Sequence, residues 1–223
     1  EAKLTDSVTY DITAWSLPYV YGLPAIASQS KISNLNPYQL EKINNTTGSN
    51  FGYAIKWDGF TSAKLLAALL RNKISVKVSD QSFKIGSEDF PKGSILVMKN
   101  GNKQTNTEKI LKEEADRLQV KTYAIASGIV EGGKDLGSSD VKTIKAPKVM
   151  MMAGEGIRAT NVGEVWHYFD QQLEYPIVLI NPTDFSRVEW DEIDVFIMPN
   201  GSYSFLKDKT QSDEFFNWIF IFN

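Results

Sequence analysis

The chain contains no cysteine and one histidine in 223 residues. The first absence excludes disulfides, thiolate zinc sites and a cysteine nucleophile; the second leaves His167 as the sole conventional base. No segment approaches the roughly 20 consecutive apolar residues that span a bilayer. Nor is there an excess of positive charge: the net charge is -3 and the pI about 5.3, with lysines interspersed among acids. Without a basic stripe there is no electrostatic reason to expect nucleic acid as a partner. What the chain does have is apolar and aromatic content of 42% and 12%, ample for buried cores in one large or two small domains.

Residues 1–48 scatter Tyr10, Trp15, Tyr19 and Tyr21 among Pro18, Pro24 and Pro37. The polar run Asn44 to Asn50 straddles their end, and residues 1–48 read as an irregular arm and linker. The opening Glu1, Ala2, Lys3, Leu4 has no initiator Met and no apolar leader, as expected of an excised piece or a mature chain.

Residues 49–127 read as a first α/β unit. Tyr53 to Trp57, Ile74 to Val78, Ile95 to Met98 and Val120 to Ile125 are expected strands, with hairpin-like turns before the third. The expected helices are Thr61 to Arg71, nearly apolar all round as buried helices are, and Thr107 to Leu118. Helical crossovers between strands predict a mostly parallel sheet. Residues 128–146 read as a connector with one short edge strand at Val141 to Ile144.

The second unit, 147–223, carries the clearest fold signal. Lys148 to Ala153 is a continuous apolar run suited to a strand covered on both faces. A glycine turn follows, then a helix for which Asn161 and Glu164 supply a capping box and Val162, Val165, Trp166, Phe169 and Leu173 an apolar stripe. Ile177 to Ile180 and Val195 to Met198 are further strands. With only three strands and an aromatic C-terminus (Phe215, Phe216, Trp218), the unit is expected to be incomplete. Its exposed apolar surface would then suit self-association. The fold class is therefore α/β: two small, mostly parallel units.

Ligands of open α/β sheets bind beyond the carboxyl ends of the strands. That rule nominates Gly154, Glu155, Gly156 and Arg158 after the first strand, and Asn200, Ser202 and Tyr203 after the third, as walls of a binding site. The glycines do not have the spacing of a dinucleotide fingerprint, and Gly132 to Asp140 does not have the order of a phosphate loop. Glu164 with His167 is at best part of a metal site; a hydrolase- or amidotransferase-like site around Glu155, Arg158, His167 and Ser202 is the alternative to a binding module, although Ser202 stands outside any Gly-x-Ser-x-Gly elbow. The acids Glu189, Asp191, Glu192 and Asp194 read as a solvated run before a strand.

Two passages carry a resemblance. Tyr10-Asp-Ile-Thr-Ala-Trp-Ser-Leu-Pro18 with Gly22, and Pro147-Lys-Val-Met-Met-Met-Ala-Gly-Glu-Gly156 through Gly163-Glu-Val-Trp-His-Tyr-Phe169 to Asp194-Val-Phe-Ile-Met-Pro-Asn-Gly201, resemble the region after the peptidase domain of Bacteroidetes-type zinc-carboxypeptidase-like proteins. The second passage is also similar to flavodoxin-like, class I glutamine-amidotransferase-like domains. The resemblance implies a secreted or periplasmic protein, an upstream peptidase domain in the same polypeptide, and peptide or glycan as ligand. Zinc is then expected only in that peptidase domain, since its His-x-x-Glu motif does not occur here. The amidotransferase Cys is missing too, so no residue carries over as catalytic.

Overall fold

The computed structural model describes residues 18, 21–31, 41–103 and 106–221. Two bodies are distinguished, Glu1–Glu41 and Lys42–Asn223. In the first, residues 21–31 form neither helix nor strand, and Leu23 N–H donates to the Pro18 carbonyl (2.8 Å) across a turn in which Gly22 has φ 60°. Tyr10, Trp15 and Tyr19 lie outside the described residues.

The second body mixes helices and strands throughout. In its first lobe, β1 (Gly52–Ile55), α1 (Phe60–Arg71) and β2 (Val76–Ser79) are followed by a hairpin, β3 (Phe83–Ile85) and β4 (Glu88–Phe90). Then come β5 (Ile95–Met98), α2 (Thr107–Arg117), β6 (Tyr123–Ile125) and β7 (Val141–Ile144). The sheet order is β6-β1-β5-β2-β7, and every neighbouring pair is antiparallel. This corrects the expected parallel sheet. Each helical crossover, β1-α1-β2 and β5-α2-β6, does join parallel strands, but each leaves a gap one strand wide that a strand of the other fills. The outcome is the interleaved, ferredoxin-like arrangement of two split βαβ units.

Side chains alternate across this sheet as a period of two requires. Tyr53, Ile55, Ile95 and Val97 face α1 and α2, packing on Leu65, Leu69, Leu111 and Ala115. Ala54, Leu96, Met98 and Ile125 face the other way, onto Phe83 and Phe90 of the hairpin and Leu136. Residues 128–136 are thus not a loose connector. Lys84 N–H donates to Gly132 O (2.9 Å), Glu131 N–H donates to Lys84 O (3.0 Å), and Leu136 is buried. The polar run before β1 is not a tether either: Asn45 and Ser49 are each 5% exposed and bonded into the lobe. Only β7 behaves as expected of the 128–146 stretch, as an edge strand.

The second lobe contains β8 (Val149–Met152), α3 (Ala159–His167) continuing into a π-helical segment (Tyr168–Leu173), β9 (Val178–Ile180), β10 (Val195–Ile197) and α4 (Lys209–Ile221). Short 3-10 turns at Pro182–Arg187, Trp190–Glu192 and Ser204–Lys207 complete it. Here the sheet is parallel, in the order β10-β8-β9, with Met150 opposite both Val178 and Phe196. All four residues of β8 are buried, as its apolar run predicts. Met152, Ile157 and Phe196 pack with Phe185, Phe205, Phe215 and Trp218, while Val149 and Ile197 pack with Tyr175 and with Ala67 and Leu70 of α1. Helix α1 is therefore covered by the first-lobe sheet on one side and by the second lobe on another, which is why it is apolar nearly all round.

Two expectations fail at the ends of this lobe. Helix α3 starts at Ala159 with Arg158 as its N-cap residue and no side-chain cap, so Asn161 and Glu164 form no capping box. The aromatic C-terminus turns inward: Phe215 is 6% exposed and the Trp218 indole N–H donates to Ile193 O (3.1 Å), leaving Phe216 at the surface. Phe215 and Trp218 are covered by Phe185 and Trp190, whereas Phe216 and the sheet residues Val178, Leu179 and Val195 keep the exposed apolar surface expected of this unit. Among the described residues, no helix is long and apolar enough to cross a membrane.

Candidate functional site

In the order β10-β8-β9 the chain leaves β8 for one neighbour and returns to the other, so the carboxyl ends of β8 and β10 flank the point where ligands of such sheets bind. The structure brings the two nominated loops together there. Ile157 and Gly201 form an antiparallel bridge, Arg158 N–H donates to Asn200 O (2.9 Å), and Ser202 N–H donates to Gly156 O (2.9 Å). Gly201 permits this approach, since a Cβ there would lie 2.8 Å from the Gly156 carbonyl oxygen. Gly154 has φ 111°, and a Cβ on it would meet the Asn181 amide at 2.7 Å. The loops are zipped along their backbones, so they do not face one another across an open cleft.

The zipper decides what the loops can do. Amide donors at a βα turn bind anions only when they are free, and those of Arg158 and Ser202 are occupied by carbonyls. Glu155, Arg158, Asn200 and Ser202 are exposed and make a polar rim around the zipper. The Tyr203 hydroxyl donates to Pro199 O, and burial raises its pKa above the usual tyrosine value. His167 is exposed at the end of α3; among the described residues no hydrogen bond joins it to Ser202. Within the same limits, no three His, Cys, Asp or Glu side chains cluster as a metal site.

The acidic run lies at the opposite, amino end of the sheet. Asp194 accepts the Lys148 backbone N–H (2.7 Å) and the Lys145 ammonium (3.0 Å). These bonds, the backbone one foremost, hold its carboxyl below the usual range against the opposing effect of burial. Glu192 pairs with the Lys148 side chain. Glu192 and Asp194 thus form a clasp that aligns β8 with β10, while Glu189 and Asp191 are exposed as expected of a solvated run.

Two concavities escaped the sequence reading. An apolar groove of about 340 Å³ lies between α3 and β9, lined by Ile157, Val162, Gly163, Trp166 and Leu179, and of the nominated residues only Gly154 borders it. A second, of about 400 Å³, lies at the start of α2 in the first lobe, between Tyr53, Lys99, Asn102, Lys103 and Glu108. Burial would raise the Glu108 pKa, but the Lys99 ammonium (3.1 Å) and the Gly48 N–H (3.2 Å) outweigh it and hold the carboxyl low. The available signal was Asn100-Gly101, a turn that folds Lys99 and Lys103 around the helix start. Compared with family models, curated proteins and solved structures, the chain matches none.

Proposed function

We propose that this chain is a non-catalytic accessory region of a secreted or periplasmic zinc-carboxypeptidase-like protein, a scaffold that positions a peptide or glycan ligand, or a partner, beside an upstream peptidase domain. Zinc belongs, on this reading, to that peptidase domain. The parentage rests on the resemblance of the two passages quoted above. The scaffold role is supported by the zipped loops: among the described residues no base is hydrogen-bonded to the Ser202 hydroxyl, and the Arg158 and Ser202 amides are taken up by carbonyls.

The test is an assay of the purified chain with added zinc, against peptides and simple esters. The expected result is no chelator-sensitive cleavage, and no ester hydrolysis that falls when Ser202 or His167 is replaced by alanine. Either activity overturns the reading. A second reading, a small-molecule binding module, is favoured by the exposed rim of Glu155, Arg158 and Asn200 at the strand ends. It differs in predicting saturable binding without turnover, weakened by Arg158→Ala.

A further inference from the structure

The two lobes of the second body are joined covalently once, through residues 145–148, and meet again on the far side of α1. There the π-helical segment ends at Glu174, which adopts φ 56°, ψ 39°. Its side chain enters a ring of three cations supplied by the first lobe. Lys64 on α1 approaches to 2.7 Å, Arg117 on α2 places two nitrogens at 3.2 Å, and Arg71 on α1 lies at 3.8 Å. Arg71 also donates to the Glu174 carbonyl at 2.5 Å. Among the described residues the only other acid bonded to this ring is Glu114, paired with Arg117 at 2.6 Å. Three positive charges are thus held against the second lobe by a carboxylate from that lobe. The Lys64 side chain is 18% exposed, so without Glu174 it would be a poorly solvated charge with no counter-ion.

The apolar part of the seam is small. Ala67, Val149 and Tyr175 are its buried members, with Leu70, Phe169, Leu173, Ile177 and Ile197 around them. At the covalent crossing the Tyr175 hydroxyl donates to Pro147 O (2.8 Å), so the crossing is anchored at its pivot. A modest apolar seam with a single crossing is the arrangement in which relative lobe motion is the default unless something else holds it.

We propose that Glu174 is that holding element, an ionic latch that keeps the second lobe closed on α1 about a hinge at 145–148. The left-handed backbone at position 174 serves the same purpose. It ends the helix with the carbonyl of this residue turned to Arg71 and its carboxylate to Lys64 and Arg117. Lys73 and Gln119, which follow α1 and α2, take the same left-handed backbone, so it is the charge and placement of Glu174 that distinguish it.

Hydrogen exchange of the full chain tests this, comparing wild type with Glu174→Gln and Glu174→Asn. The asparagine is at ease in the left-handed region and separates backbone strain from loss of charge. Both variants should raise exchange by about tenfold or more in peptides covering 64–71, 145–153 and 169–177, leaving the central strands β1 and β5 unchanged. Wild type in about 1 M salt should move the same way, less far, because screening weakens the latch without any substitution. The salt arm stands even if a variant fails to fold. Unchanged seam exchange, or an equal rise over β1 and β5, overturns the proposal. So does acceleration in Glu174→Gln that Glu174→Asn does not share, since strain would then be the cause.

Discussion

Replacing Asn45 tests whether the segment before β1 belongs to the first lobe or merely leads into it. The Asn45 side chain donates to Asp116 Oδ1 (2.9 Å) and Val120 O (2.9 Å) and accepts from Thr122 N–H (2.7 Å) and Thr122 Oγ1 (3.0 Å). Its backbone N–H donates to Asp116 as well (2.8 Å). In Asn45→Ala the four side-chain bonds vanish. Asp116 keeps the backbone donor and Lys112, but the Val120 carbonyl and the Thr122 N–H are left in a site that was 5% exposed. At about 1–3 kcal/mol for each of these two groups left unsatisfied, the loss comes to about 2–6 kcal/mol. Urea unfolding followed by circular dichroism reads it as a lower midpoint at unchanged slope.

Asn45→Asp adds a sign. Asp116 is already held ionised, chiefly by Lys112, against the effect of burial and with help from Asn45. A second carboxylate facing it costs most where both are charged, and the penalty shrinks as pH falls through the carboxylate range and one of them protonates. A cost for Asn45→Ala below about 0.5 kcal/mol would refute the reasoning, by the measure of an ordinary surface change. Exchange at the Asn45 amide as fast as in a free chain would refute it too.

Gly154→Ala combines φ 111° with a 2.7 Å contact to the Asn181 amide, and should destabilise by about 1–3 kcal/mol, read in the same urea assay. Phe185, 1% exposed, stacks on Phe205 at 3.6 Å and touches Trp190 at 5.1 Å; Phe185→Ala should cost about 3–5 kcal/mol and shift the tryptophan emission of the second lobe. Because the folded-state pKa of Asp194 is depressed, its contribution is present above the unfolded value and lost as pH falls through the folded one. Asp194→Asn should therefore lower the thermal midpoint at neutral pH and flatten its decline toward acid; an unaltered pH profile would show that the clasp with Lys145 and Lys148 contributes nothing.

Strands β1, β5 and β8 present the same face to a reader of the sequence: short, continuous apolar runs, every residue of which is buried in the fold. Burial on both faces, expected of β8 from its run, holds for all three. The parallel sheet, expected of the first lobe from its helical crossovers, holds for β8 and its neighbours alone, because helices on both faces are not the only way to cover a sheet. In the first lobe α1 and α2 cover one face, and the other is covered by Phe83 and Phe90 of the hairpin with Leu136, residues that look in sequence like turn and connector. The direction of each crossover was legible from its helix; which strand fills the gap was not, since interleaving β5 between β1 and β2 depends on pairing that leaves no local pattern. The same limit applies at the candidate site. The rule about strand ends locates residues 154–158 and 200–203, but the bonds that zip them run between backbone atoms, to which side-chain identity is nearly blind. Its traces are Gly201, where the missing Cβ lets the Gly156 carbonyl approach, and Gly156, where a Cβ would lie 3.3 Å from the Ser202 carbonyl oxygen. A glycine just beyond a strand thus has two meanings, room for a ligand or room for another backbone, and here the second occupies the space that the first would need.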